Sequence, residues 1–245
     1  MPMPTPPTPP TVLVTGAARR GGAAISRAVH ARGRDVIVQC RAAALPQAQQ
    51  LCEELNRVRP DSALPWVQDL DRRVAAPPRA AAIAGLVANA SHYTASELVT
   101  YDEHIDADLA AHLDGHLALI RHCQPALARL HGAIVAVTDI HVARPARGYL
   151  TYQIAKGALH AAALALAVDL APAIRVNAVA PGALDWPAAA PLDAQRQARI
   201  LDSTPLGRLG TFAELAGAVC FLLFDATFTT GATLTVDGGR SVALA

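Results

Sequence analysis

TVLVTGAARRGGAAISRAVHARG, residues 11–33, decides the fold. Its first six residues are a short β-branched run closed by a glycine, which predicts a buried strand. From residue 21 apolar side chains recur at helical spacing until Gly33, a helix stop. Between strand and helix lies a loop holding Gly16, Arg19, Arg20 and Gly22. Gly16 permits a tight turn, and Gly22 lets the helix approach the strand. A helix beginning there offers unpaired N–H groups and a positive dipole end, a seat for a pyrophosphate. The glycines' placement, more than their number, points to a nucleotide.

The same alternation continues down the chain. DVIVQC (35–40), ALPWVQDL (63–70), IAGLVANAS (83–91), GAIVAVTD (132–139), IRVNAVAPG (174–182) and TLTVDGG (233–239) read as six further strands. Helical patterns separate them at 45–60, from Asp108 to Leu130, at 152–172 and at 212–225. Near-continuous apolar strands alternating with helices predict one α/β domain over 11–245, a doubly wound, mostly parallel sheet. Residues 183–210 are a long irregular connection, which reads as a substrate lid. Residues 1–10, MPMPTPPTPP, read as a proline-rich disordered tail.

Composition removes several function classes. Hydrophobic residues at 52% and charged ones at 17% exclude a disordered chain. A net charge of +1 without a dense Lys/Arg run gives nucleic acid no footprint. No apolar run suits a membrane span. Cys40, Cys52, Cys123 and Cys220 lie far apart, as free thiols of a reducing cytoplasm would.

At the nucleotide end, VIVQCRAAA closes the second strand with Arg41 and without the carboxylate that takes a ribose 2′-OH in an NAD site. Arg20 lies in the glycine loop as well. Two guanidiniums suit a 2′-phosphate, so NADPH is expected rather than NADH. Asp69 either accepts from the adenine amino group or caps the next segment.

At the other end Tyr152 and Lys156 stand four apart on a helix, sharing a face. An ammonium beside a phenol is expected to lower the phenol's pKa into catalytic range. Asp139, thirteen residues before the tyrosine, is either a proton-relay partner or a turn cap. His112 and His116 have the spacing of a metal pair, but no H-E-x-x-H pattern accompanies them, and no metal is expected.

The loop Thr15–Gly22, ANAS (88–91), Tyr152/Lys156, RVNAVAPG (175–182) and TGATLTVDGGR (230–240) resemble the short-chain dehydrogenase/reductase family across 11–245. Arg20 at a usual glycine, Asp139 at the usual catalytic serine and Tyr93 in NASHY narrow the resemblance to the pteridine and dihydromonapterin reductases. It implies a Rossmann fold, a cytoplasmic homotetramer and NADPH-dependent reduction of dihydropterins, with dihydrofolate as a further candidate. Asp139, Tyr152 and Lys156 would form the proton-delivery set, because hydride addition to a ring C=N leaves a nitrogen that must gain a proton. Gly16, Arg19, Arg20, Gly22, Arg41, Asp69, Leu70, Asn89, Ala90, Ser91, Lys156, Pro181 and Gly182 would hold the cofactor. Arg20, Ser91, Tyr93, Asp139, Tyr152 and Trp186 would line the pterin slot, Tyr93 by stacking and Trp186 from the lid. Two positions depart from the family pattern: Ala88 replaces an asparagine, and His112 replaces the asparagine of the proton relay. The competing readings are a short-chain reductase of an ordinary ketone or acyl substrate, and a non-catalytic pterin- or nucleotide-binding regulator.

Overall fold

A computed structural model of the protein describes residues 10–71, 73–93, 95–186 and 193–243. The expected tail lies outside them save for Pro10, as do positions 187–192 of the expected lid. Among the described residues seven strands form one parallel sheet: β1 Thr11–Val14, β2 Asp35–Cys40, β3 Ala63–Val67, β4 Ile83–Ala88, β5 Ala133–Val137, β6 Arg175–Pro181 and β7 Thr233–Val236. Their order is β3-β2-β1-β4-β5-β6-β7. The doubly wound α/β fold expected from the sequence is the one observed. The order reverses between β1 and β4, so the loops leaving those two strands diverge and open a crevice, the place where such sheets bind ligands.

Helices cover both faces: α1 Arg20–Ala31, α2 Leu45–Val58, α3 Tyr101–Leu109, α4 Gly115–Arg129, α5 Leu150–Asp169, α6 Ala194–Asp202 and α7 Phe212–Cys220. Strand side chains alternate between the two layers. Val12 and Val14 join Ile25, Val29, Leu215 and Val219 on one face. Leu13 packs on the other with Leu86, Leu119, Leu127, Ile134 and Leu159. With both faces covered, polar alternation along the strands has no use, which is why they read as apolar runs. The four cysteines are free and buried. No helix among the described residues is long and apolar enough to cross a membrane.

Two expected boundaries differ. The strand expected at 63–70 ends at Val67, leaving Asp69 and Leu70 in the connection that follows. The helix expected from Asp108 to Leu130 is broken by a π-helical turn, Ala110–Asp114, in which Gly115 N–H bonds Ala110 O five residues back. Such one-residue insertions re-aim side chains and gather at functional sites. Here the turn carries His112.

Asn177 ties β6 to the turn before β7. Its Nδ2 donates to Thr229 O (2.9 Å), and its Oδ1 accepts from Ala232 N (3.0 Å), with the side chain 1% exposed. Asn177→Ala orphans both backbone groups, at a cost of about 2 kcal/mol. For a chain this long that corresponds to a Tm lowered by roughly 4–8 °C; an unchanged calorimetric Tm would count against this role.

Candidate active site

The crevice holds a cavity of about 600 Å³. Gly16, Arg19, Arg20, Gly22, Arg41, Leu70, Asn89, Ala90, Ser91, Pro181 and Gly182 line it, together with Asp139, Tyr152 and Lys156. Its nucleotide end depends on absent side chains. Gly16 has φ +59°, and a Cβ there would lie 2.8 Å from Ala90 Cα. A Cβ on Gly22 would lie 2.2 Å from Gly16 O. No side chain caps the start of α1, so its first turn leaves N–H groups for an anion. Arg20 has φ +51°, left-handed backbone that favours glycine, at a cost of about 1 kcal/mol. Its guanidinium bonds Asp185 O (3.2 Å) and lies 5.0 Å over the Phe212 ring.

Arg41 lines the cavity just past the end of β2, between two carboxylates, with Nε 3.0 Å from Asp69 Oδ1 and Nη2 3.3 Å from Asp71 Oδ2. Asp69 is absent from the cavity lining, its carboxylate turned to Arg41. Gln39, which the sequence did not single out, anchors the loop by accepting from Gly16 N (2.7 Å) and donating to Gln68 O (2.6 Å).

At the reacting end Tyr152 Oη donates to Asp139 Oδ2 at 2.7 Å, while Asp139 Oδ1 accepts from His141 N at 2.8 Å. The two sequence readings of Asp139 therefore coexist, one oxygen capping a turn and the other meeting the phenol. The expected lowering of the tyrosine pKa is not found. Burial, then the Asp139 charge and hydrogen bond, raise it far above its usual 10; the Ser91 hydroxyl acts weakly in the opposite direction. Lys156, 2% exposed, donates to Val137 O (2.8 Å), and burial lowers its own pKa to about 8. A phenol in this setting stays protonated at neutral pH, and a phenolate is disfavoured.

His112 enters the same cluster from the π turn. Its Nδ1 donates to Asp108 O (2.8 Å), so Nε2 is the acceptor for Ser91 Oγ (3.1 Å) and His92 N (3.2 Å). The ring stands edge-on to Tyr152 at 5.5 Å. His116 repeats the pattern one turn on, donating from Nδ1 to His112 O (2.9 Å) and accepting at Nε2 from Thr15 Oγ1 (3.0 Å). Both ring nitrogens of each histidine are thus committed within the fold. A different trio, His92, Asp108 and His112, brings ligand-type atoms within 4.8 Å of one another. His92 Nε2 lies 2.6 Å from Asp108 Oδ1, a direct ion-pair distance.

Tyr93 lies beside the site, its ring centroid 4.1 Å from that of Tyr149 and 4.6 Å, edge-on, from that of Tyr152. Trp186 is half-buried and lines neither this cavity nor the neighbouring one that Tyr93 lines. Tyr149, His92 and Phe212 were not singled out from the sequence; each reaches the site through tertiary packing that no local motif marks.

The parallel sheet, the glycine cradle at its crevice and the Tyr–Lys pair define a nucleotide-dependent oxidoreductase. A family model described as enoyl-(acyl carrier protein) reductase matches residues 16–241, and the chain belongs to the short-chain dehydrogenase/reductase family. It is 32% identical to the 3-oxoacyl-[acyl-carrier-protein] reductase FabG of Aggregatibacter actinomycetemcomitans, over 94% of this chain and 98% of that one. It is 36% identical to the cis-4-hydroxycyclohexanecarboxylate dehydrogenase of Sinomonas cyclohexanicum, over 93% and 94%. The crystal structure of FolM alternative dihydrofolate reductase 1 from Brucella canis, complexed with NADP, superposes with TM-score 0.82 at 28% identity, covering 96% of this chain and 95% of that one.

Burial lowers the pKa of His112 and of His116 from 6.5 to about 4, with the Lys156 ammonium adding to both. Between those values the unfolded chain binds more protons than the folded one. Stability is therefore fully present above pH 6.5 and is lost as pH falls toward 4, by about 3 kcal/mol per group. His116→Asn should remove one share of that slope in denaturant titrations across pH 4–7. Equal slopes for variant and parent would show that His116 does not fold as the neutral ring.

Proposed function

We propose that the protein is an NADPH-dependent reductase of dihydropterins. The 2.7 Å bond from Tyr152 Oη to Asp139 Oδ2 carries the proposal. A carbonyl reduction needs only a hydroxyl and a phenol around one oxygen. A pterin instead presents a ring nitrogen that must be protonated beside a polar edge rich in N–H donors, which a carboxylate can accept. The carboxylate also strengthens the phenol's hold on its proton, so that a substrate atom as basic as a ring nitrogen is needed to draw it away. The overall likeness to FolM, complexed with NADP, supports both the cofactor and the substrate class.

NADPH, when bound, supplies the hydride. Gly16, Gly22 and the open start of α1 would receive its pyrophosphate, and Arg19, Arg20 and Arg41 the 2′-phosphate side. Asn89, Ala90 and Ser91 line the path between the two ends, and Lys156, Pro181 and Gly182 the nicotinamide end. Tyr152 gives up its proton at Oη, with Asp139 as its partner. Ser91 Oγ donates to His112 Nε2 behind the phenol, so His112 holds the serine in place, and the phenolate left by the transfer takes its proton back from water. The Lys156 ammonium offsets the Asp139 charge, so that both coexist in a buried site. Tyr93 covers the pterin face from the outer side. Exposed Ile154, Leu164 and Val168 on α5 support self-association through that helix. Ketone or acyl reduction is the second reading, favoured by the near full-length similarity to FabG.

NADPH oxidation measured with dihydrobiopterin, dihydromonapterin, dihydrofolate and simple ketones separates the two. Turnover confined to the pterins is expected; turnover on ketones alone would reject the pterin reading. Tyr152→Phe and Asp139→Ala should each lower pterin turnover about 10²–10⁴-fold while sparing NADPH binding. Turnover should also decline as pH rises through about 8, where Lys156 loses its charge. In Arg20→Gly, relief of the left-handed strain should leave the Tm unchanged or raise it by roughly 2–4 °C, while NADPH binds more weakly.

A further inference from the structure

Beside the cofactor cavity lies a second one of about 820 Å³, sharing Arg20, Asp139, Gly182 and Leu184 with it. Its walls bring together Arg20, Arg147, Arg196, Arg199 and Arg240, against one carboxylate, Asp139. These arginines come from separate places: the start of α1, the loop before α5, one face of α6 and the turn after β7. Elsewhere the protein pairs arginine with carboxylate, as at Arg27, Arg32, Arg41, Arg59, Arg79 and Arg208. Among the described residues none of the five does so. Arg196 Nη2 meets the Tyr149 hydroxyl (3.0 Å), Arg240 Nε meets Ser203 Oγ (3.2 Å), and Arg20 meets a backbone carbonyl. Asp139 is itself engaged by Tyr152 and His141 N. A chain of net charge +1 thus gathers five guanidiniums in one concavity next to the reacting groups, with Asp139 in its wall and Asp193 acting on Arg196 from the start of α6. Such a concavity attracts and orients anions.

We infer that this second cavity binds an anionic group, carboxylate or phosphate, on the tail of the substrate whose reacting ring sits at Asp139. The inference rests on the Asp139/Tyr152 site being the reacting centre, and it specifies which pterins are preferred. Guanidiniums hold carboxylate and phosphate in two-point contacts, which a neutral hydroxylated tail cannot replace. Arg196 and Arg199 stand three apart on α6, so one helix face presents both to the tail.

The test compares tails at constant ring chemistry. Dihydrobiopterin supplies a neutral tail, dihydrofolate a carboxylate tail, and dihydroneopterin phosphate a phosphate tail; the last two identify which anion is favoured. In the parent protein kcat/KM for at least one anionic tail should exceed that for the neutral tail about tenfold. Arg196→Gln/Arg199→Gln should abolish that preference through KM, and added salt should erode it in the parent alone. NADPH affinity and Tm of the variant report that it is folded, and Arg147→Gln repeats the test should the double variant not fold. If no pterin turns over, the pterin reading fails and the same contrast is made with 3-oxoacyl phosphopantetheine against its N-acetylcysteamine analogue, which lacks the phosphate. Equal kcat/KM for neutral and anionic tails, or a preference unchanged in the variants, overturns the inference.

Discussion

One hydroxyl holds the crevice open. Thr15 Oγ1, fully buried at the end of β1, accepts from Asn89 N (2.8 Å) and Ala90 N (2.9 Å) and meets His116 Nε2 at 3.0 Å. It thereby fastens three segments where the β1–β4 ladder ends: the loop leaving β1, the loop leaving β4, and the start of α4. These are the segments between which the sheet order reverses. Without that fastening, two diverging loops with unsatisfied N–H groups would have no reason to stay apart and ordered. Asn89 Nδ2 adds a bond back to Thr15 O (2.9 Å), closing the corner from both sides. The cofactor cavity is what remains between the loops.

The same corner connects the nucleotide end with the chemistry. From Thr15 the contacts run through His116 to the His112 carbonyl, and from the His112 ring to Ser91 beside Tyr152. The two histidines keep their Nδ1–H tautomers because a helix carbonyl four residues back takes that proton in each case. A buried neutral imidazole in this orientation always offers Nε2 as an acceptor. The asparagine usual in the family at residue 112 contributes to a relay by holding water; the imidazole replaces that with a ring nitrogen bonded directly to a hydroxyl. The π turn, Ala110–Asp114, is the segment that carries this ring.

Much of this was legible in the sequence, for identifiable reasons. Strands covered on both faces print as apolar runs, and a glycine that touches backbone cannot be replaced, so β1, Gly16 and Gly22 announced the sheet and its crevice together. Tyr152 and Lys156 were legible because one helix face fixes their spacing. Asp139 was legible because its register to Tyr152 is set by a short connection. What escaped were consequences of long-range packing. Gln39 braces the glycine loop from the neighbouring strand, and Tyr149 meets Tyr93 only because their loops cross. The π turn leaves no compositional mark, so one helix was expected where two stand. The effect of Lys156 on Tyr152 was misjudged for a related reason: spacing gave the neighbour, but burial and the facing carboxylate gave the sign.

That sign bears on the direction of the chemistry. A Tyr–Lys pair facing a neutral hydroxyl can lose the phenol proton readily, and then works equally well as base or acid. Placing a carboxylate 2.7 Å from the phenol oxygen makes the same proton hard to remove and easy to share. Lys156, at a pKa of about 8, barely holds the compensating charge and cannot reverse the effect. The phenol thus keeps its proton unless a strongly basic atom faces it, and a ring imine nitrogen is far more basic than a ketone oxygen. Retaining an arginine in the left-handed conformation at residue 20 has the same character: a local cost kept where a guanidinium reaches both cavities. Charge placed against local convenience at both ends of one crevice is hard to account for by packing, and follows directly if the crevice must grip an anion at one side and protonate a nitrogen at the other.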